Sequence, residues 1–435
     1  MSSVQKDPCA APRAASPERP APGSARLQRL LWSAVILLLA VWAARTLVGD
    51  IYRVESASML PTLGLGGEGG ELVLVTYDRS PPERFELVVL YRAGESVPEV
   101  KRVVGLPRES VRLRHGDLWV DGEAFDAPQD APEWIPIFGA GNAVEEHFTM
   151  ERSDEPPDGG EAAVPQAQEV AGQRPWSRDG GGWRLAALDV PLGSGRGLMR
   201  HHKGLHDGYR DLSGDIVLGR GEAGDGRLRV RAAVEELAAD GGRLRLGLLK
   251  AGDTFEFALD LKDTEQGALL VEATLTQRWS GERQHGEGQA IIKPGAALEL
   301  TLSLRNRTLI GSLKADSGGE IMLLSRVSEE HEHPLTQRGE THGERRTYGA
   351  HPWLGGEGLV ATFNSIRLER DLAWTSRGSV GVSRPVLLGP DEIFVLGDNS
   401  RVSRDSREWG AVPLAAVLGR PRAVLWPPRA LRLLP

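Results

Sequence analysis

The run LELTLSL, Leu298 to Leu304, alternates leucine with a polar or acidic residue at every step. Side chains along a strand point to opposite faces in turn, so this run has one apolar and one polar face and reads as a half-buried β-strand. The same alternation recurs on either side of it. Leu228, Val230, Ala232 and Val234 show it, as do Phe255, Phe257, Leu259 and Leu261, and again Leu359, Ala361 and Phe363. Turn-forming stretches such as AADGGR, Ala238 to Arg243, separate the runs, and no convincing amphipathic helix intervenes. Each run has an apolar face that only a second sheet can cover. The expectation is an antiparallel β-sandwich or jelly roll in this part of a mainly β chain.

Composition agrees with a β-rich body. The chain has 435 residues, 53 Gly and 28 Pro, with 40% hydrophobic and 26% charged residues. At roughly 100 to 200 residues per domain, that length predicts two or three units. A net charge of -8 and the lack of a basic stripe with interleaved aromatics argue against nucleic acid as a partner. The single cysteine, Cys9, lies in a Pro/Ala-rich leader and cannot form a disulfide within the chain. The ten histidines fall in scattered pairs, such as His201 with His202 and His331 with His333, without the ligand spacing of a structural metal site. No metal or organic cofactor is expected.

Leu30 to Ala44 reads LLWSAVILLLAVWAA, uncharged throughout; Arg45 interrupts, and Thr46, Leu47 and Val48 continue. A membrane span needs about 20 such residues, so a minimal transmembrane helix is expected over 29–49, with Arg45 snorkelling to the interface. Residues 1–29 carry Lys6, Arg13, Arg19, Arg26 and Arg29 against Asp7 and Glu18, five positive charges less two negative. The positive-inside tendency places residues 1–28 in the cytoplasm, as a Pro-rich disordered tail, and everything after Asp50 outside. A cleavable secretory signal would share the basic region and short apolar run. The long Pro-rich leader and the lack of a clear small-x-small site after Val48 favour an anchor.

Three polar stretches stand out against this frame. SASMLPTL, Ser56 to Leu63, begins eight residues after Val48, so Ser58 lies within about 33 to 36 Å of chain from the apolar segment. A serine hydroxyl needs a base beside it to act as a nucleophile, and no histidine lies near these motifs. EVKRVVGLP, Glu99 to Pro107, sets Lys101 in a strand-like run; a lysine acts as a base only when neutral, which burial in an apolar site brings about. Alone, Lys101 reads more readily as a solvated lysine on a strand. VLGDNSRVSRDSREWG, Val395 to Gly410, is a polar loop between strands, and alone its Asp405 and Arg407 read as a turn with an internal ion pair.

Together, in this order and after an apolar span, SxSMxPT, KRVVGLP and GDNSxxSxDSRxWG resemble type I signal peptidase, the leader peptidase family of Ser/Lys serine endopeptidases. The resemblance covers roughly Ile51 to Asp126 and Val386 to the carboxyl end. It implies Ser58 as nucleophile and Lys101 as general base. Ser56 would join the Ser58 amide in an oxyanion hole, and Ser403 would orient the lysine. Asp405 and Arg407 would form a structural ion pair near the site, with Asp398 and Asn399 as further structural residues there. It further implies a bacterial membrane enzyme that cuts exported preproteins after small-x-small sequences, with preprotein signal peptides, membrane lipid and the secretion machinery as partners. An apolar surface near Trp409 or Trp426 would touch lipid. Two departures fall where the family commonly has glycine: Arg-Gly-Asp is replaced by RFE in RFELVVL, Arg84 to Leu90, and GLPGD by GLPRE, Gly105 to Glu109. Neither supplies a catalytic group, and an altered turn is the expected result.

The domain order expected is thus a tail (1–28), a span (29–49), a catalytic domain in two parts (50–126 and 385–435), and an insertion (127–384). The insertion opens with an acidic, Pro- and Gly-rich stretch, expected to be loop to about Pro175. Its strand pattern faintly resembles concanavalin-like or laminin-G-like sandwiches, which leaves its ligand unknown because fold does not imply function. Trp176, Trp183, Trp279 and Trp353 are candidates for a sugar platform or for core. A rival reading makes the whole a membrane-anchored binding protein whose sandwich binds carbohydrate or protein beside a relic protease.

Overall fold

The computed structural model describes residues 30–39, 49–125, 134–138, 148–150, 175–327 and 350–434, apart from short interruptions within these ranges. Met1–Asp50 and Ile51–Pro435 are separate units. In the first, residues 30–39 are helical, and Leu30, Trp32, Ile36 and Leu38 are all exposed. Among the described residues no helix is long and apolar enough to cross a membrane. The rest of the expected span, 40–48, and the expected tail lie outside the described residues.

Ile51–Pro435 is built from strands, with a short described α-helix at Ser406–Trp409. Its amino- and carboxyl-terminal parts interleave in one sheet. Along that sheet run Glu71–Thr76, Val417–Trp426, Leu87–Leu90, Glu99–Gly105 and Glu392–Leu396. The β-branched and leucine-rich sequences LVVL and EVKRVVG suit a strand buried on both faces, and Leu87 to Leu90 are all buried. Val88 and Leu90 pack with Val103, Ile393 and Val395 on one face, while Leu87 and Val89 join Met59, Leu63 and Val73 in another cluster. Residues more than 300 positions apart in sequence therefore share one core.

The middle of the chain forms two larger sheets. One contains Trp176–Asp179, Gly182–Ala187, Leu359–Arg370, Gly226–Leu237, Ala297–Arg305, Thr308–Ala315 and Glu320–Arg326 in that order. The other runs Glu282–Ile292, Leu269–Arg278, Asp253–Asp263, Gly242–Lys250, His351–Glu357, Leu198–His201 and Phe148–Met150. Inward residues of both meet in one apolar cluster: Leu228, Leu300 and Leu302 from the first, Leu246, Phe257 and Val271 from the second. Every alternating run read from the sequence lies inside one of these strands. Full burial of a Leu or Phe is worth about 1.5 to 3 kcal/mol, so this cluster is the main source of cohesion here.

One expectation needs correcting. The stretch expected to be loop to about Pro175 contains the strands Ile135–Phe138 and Phe148–Met150, each laid along the edge of a sheet. Backbone amides alone can pair with an open edge, so no side-chain alternation announced them. Of the tryptophans open to a core or a platform reading, Trp176 and Trp353 are buried and Trp183 is half-buried, while Trp279 lies outside the described residues. Trp176 packs on Phe363 with ring centroids 5.0 Å apart, and its indole N–H donates to the Gly197 carbonyl. Large aromatic area is most stabilising inside a core, and these rings are used that way.

Candidate active site

The strand Glu99–Gly105 carries Lys101 into the core, where the residue is 1% exposed. Val88 lies opposite it on the neighbouring strand. Ser58 sits in a short 3-10 turn, Ala57–Met59, anchored by the buried Met59. Lys101 Nζ lies 3.3 Å from Ser58 Oγ, and Ser58 Oγ lies 3.2 Å from Ser56 Oγ. Lysine, nucleophile candidate and second serine thus form one hydroxyl–hydroxyl–amine row. Ser58 is half-buried and Ser56 exposed, so the row opens to the surface at its serine end.

The GDN loop fixes the turn that carries Ser58. The Asn399 amide N–H donates to the Ser58 carbonyl at 3.0 Å, and Asn399 Nδ2 donates to the Ala57 carbonyl at 2.9 Å. Gly397 makes this approach possible: a Cβ there would stand 2.6 Å from the Ser58 carbonyl oxygen and 2.1 Å from Ser403 Oγ. Asp398 is buried and grips Arg102 in a bidentate pair, Nε to Oδ1 at 2.8 Å and Nη2 to Oδ2 at 2.6 Å. Thr62 Oγ1 also donates to Asp398 Oδ2, tying the serine loop into the same pair. Such charge-assisted, two-point contacts set geometry as well as adding energy.

Asp405 and Arg407 form a second buried pair. Arg407 Nε donates to Asp405 Oδ1 at 2.8 Å and Nη2 to Oδ2 at 2.7 Å. Asp405 also caps the helix Ser406–Trp409 by accepting from the Arg407 amide, and it accepts the Gly397 amide at 3.0 Å. The remaining Arg407 donors reach Thr375 and Ser400 carbonyl oxygens at 2.9 Å each. Ser403 is buried beside Gly397, yet its hydroxyl has no hydrogen-bond partner. Lys101 Nζ instead lies 3.0 Å from Glu99 Oε2.

A model of the signal peptidase, peptidase S26 family matches residues 27–174 and 361–426, the two segments that carry these side chains. The chain belongs to the type I signal peptidase family. Signal peptidase I of Bacillus caldolyticus is 35% identical over 104 residues, which make up 23% of this chain and 54% of that protein. Signal peptidase I of Leptolyngbya laminosa is 27% identical over 172 residues, 34% of this chain and 81% of that protein. The chain spans about half the length of the first curated relatives it matches. Among solved structures, the CBM2 module of the Lactobacillus casei BL23 phage J-1 evolved Dit covers 55% of this chain and 96% of its own at 12% identity, with a TM-score of 0.35, too low a likeness to carry an argument.

Of the residues singled out in sequence, the fold brings Ser56, Ser58 and Lys101 into hydrogen-bond range and wraps Asp398, Asn399, Ser403, Asp405 and Arg407 around them. Sequence reading missed Glu99, Arg102 and Thr62. Arg102 follows the lysine directly, and a buried arginine demands a carboxylate, which was the available signal for its pair with Asp398. At the two glycine departures, Phe85 and Arg108 adopt positive φ values of 67° and 72°. Both side chains thus sit in a backbone region that suits glycine. Phe85 gains a stacked contact with Trp374 and an edge contact with Phe125. Trp409, expected at a lipid-facing surface, is half-buried against the Val88 cluster, whereas Trp426, Leu431 and Leu433 are exposed.

Proposed function

We propose that this chain is a membrane-anchored signal peptidase that cleaves signal peptides from exported preproteins outside the cytoplasm. The observation that carries the reading is the contact between buried Lys101 Nζ and Ser58 Oγ at 3.3 Å, in a chain of this family. Ser58 Oγ attacks the scissile carbonyl as its proton passes to an uncharged Lys101 amine. Ser56 and the Ser58 amide stabilise the oxyanion, and removing one such donor typically lowers the rate about 10²- to 10³-fold. Lys101 then returns the proton to the leaving amine, and water attacks the acyl-enzyme with the same base. Ser403 receives the lysine in the active arrangement, while the Arg102–Asp398 and Asp405–Arg407 pairs hold the two loops in register.

The anchor is residues 29–49, supported by the exposed apolar helix at 30–39, and the exposed Trp426, Leu431 and Leu433 face lipid. The two middle sheets form an inserted β-sandwich domain, 127–384, between catalytic parts 50–126 and 385–435. The rival, a binding protein with a relic protease, is disfavoured by the retained proximity of Ser56, Ser58 and Lys101. Incubation of the full chain in detergent with a preprotein, followed by sequencing of the product's new amino terminus, tests the reading. Cleavage after a small-x-small sequence by wild type and none by Ser58→Ala is expected; equal cleavage by both would sink it.

A further inference from the structure

Lys101 has two neighbours, and they ask opposite things of it. Ser58 Oγ, at 3.3 Å, needs an amine with a free lone pair; Glu99 Oε2, at 3.0 Å, binds an ammonium. Glu99 and Lys101 are two apart on one strand, so both side chains leave the same face. The contact is thus built into the strand. On the other carboxylate oxygen, Oε1, Arg92 Nε approaches to 3.5 Å, while Arg92 Nη2 is held by Glu95 at 2.6 Å. Glu99 is half-buried and Lys101 almost fully buried, so water does little to screen this charge pair. The buried Ser403 hydroxyl, meanwhile, has no partner and stands ready for a lysine that lets go of Glu99.

We propose that Glu99 is a positioning residue that latches Lys101 as an ammonium in the resting enzyme, with Arg92 competing for the same carboxylate and setting how firmly the latch holds. This rests on the reading of Lys101 as the general base. Opening the latch requires one proton to leave the ammonium for solvent. The neutral amine then turns to Ser403 and Ser58, takes the Ser58 proton as the Oγ–carbonyl bond forms, and passes it to the departing amine. A carboxylate in contact favours ammonium over amine, so activity starts at a higher pH than the same site without Glu99 would show.

The other charged groups around Lys101 are already engaged. On the strand Leu87–Leu90 the facing residue is Val88, and Glu86 just before it pairs with Arg420 at 2.9 Å and Arg422 at 3.6 Å. The strand Glu392–Leu396 packs apolar residues here, and Asp398 beyond it is held by Arg102. Asp405 and Arg407 neutralise each other. The turn Ala57–Met59 presents hydroxyls only. Glu99, with Arg92 and Glu95 behind it, is the charge left to act on the lysine.

The test measures kcat and KM on one preprotein from pH 6 to 10 for wild type, Glu99→Gln and Arg92→Gln, with Ser58→Ala and Lys101→Ala as references. In Glu99→Gln the pH of half-maximal kcat falls, and kcat at pH 7 rises about tenfold, the effect of one unit along the pH axis. KM and the alkaline plateau stay at wild-type values. Arg92→Gln moves the same limb the other way, because Glu99 is then free to hold the lysine alone. A merely structural role for Glu99 would lower kcat equally at every pH, or leave the limb in place, and either result overturns the latch while the reading of the site stands. Wild-type cleavage by Lys101→Ala would remove the base itself, and the latch with it.

Discussion

The interleaved sheet that carries Lys101 and the two middle sheets place their charged groups differently. In the body a buried ion pair joins residues far apart in sequence, Arg102 with Asp398 across 296 positions, and a hydrogen bond ties Thr62 to Asp398 across 336. In the two middle sheets ion pairs link neighbouring strands, some close in sequence, as with Arg243 and Asp260 across 17 positions or Arg245 and Glu256 across 11, and some distant, as with Arg227 and Glu369 across 142. Local hairpins close cheaply in entropy, and the middle sheets draw on them, as between Gly242–Lys250 and Asp253–Asp263. The body has to be closed by a segment that returns after the whole insertion. That return is eased by the pairing of Ile135 with Arg370, which draws together chain segments on either side of the middle sheets. Charged pairs with fixed geometry then decide which loops meet at Ser58.

The sharpest way to break this contrast is to remove the reacting groups. Ser58→Ala and Lys101→Ala should each lower preprotein cleavage by about 10³- to 10⁶-fold without changing the unfolding midpoint, and Lys101→Arg should fail as well because a guanidinium does not give up its proton. Next, Arg102→Ala leaves Asp398 buried without its ionic partner and should cost about 3 to 5 kcal/mol in urea unfolding, with cleavage lost as the loops separate. A comparable lesion in the insertion should behave differently. Leu302→Ala, at a fully buried core position, should cost about 2 to 5 kcal/mol. It should nonetheless leave kcat/KM of the folded protein within about twofold, since distant sites are independent. Loss of cleavage in folded Leu302→Ala would show that the insertion belongs to the catalytic machinery.

The seam between the two regions gives a pH-dependent test. Asp117, on a hairpin of the body, is pushed up to about 7 by burial and by the neighbouring carboxylates Asp225 and Asp371, against the pull of Lys250 and Arg307. Burial pushes Asp371 up to about 6, against the pull of Arg305, 3.0 Å away. Trp119 of the same hairpin lies under the guanidinium of Arg307 from the insertion. A carboxyl that holds its proton more tightly when folded stabilises the fold fully below its unfolded value, about 4, and loses that contribution as pH rises through its folded value. Unfolding midpoints should therefore fall between about pH 4 and pH 7 through these groups, and Asp117→Asn should flatten the fall. An unchanged slope in Asp117→Asn would remove the seam as its cause. The smallest effect concerns backbone strain: Arg108 is exposed at a positive φ, and Arg108→Gly should stabilise the body by about 1 kcal/mol, read as a higher urea midpoint.

Much of this was legible before any coordinates. Period-two alternation at Leu298 to Leu304 and its sister runs marks strands because burial on one face acts on each residue separately. The serine, lysine and GDN motifs are legible because the nucleophile, base and supports proposed for them must be of particular chemical types. The strands Ile135–Phe138 and Phe148–Met150 left no such trace, since their partners are backbone groups. Trp353 was open to two readings because a flat ring suits a platform or a core, and the choice depends on what covers it.

Sequence alone determined the mainly β class, the family and the identity of the polar residues at the site, because each follows from local pattern or residue chemistry. Only the tertiary structure decided that Arg102 answers Asp398, that Phe85 and Arg108 hold glycine's conformation, and that Lys101 rests against Glu99 while Ser403 stands unpaired. Those are properties of distance between groups. Distance in a body closed across some 300 residues is set by how the whole chain packs, not by which residues are neighbours along it.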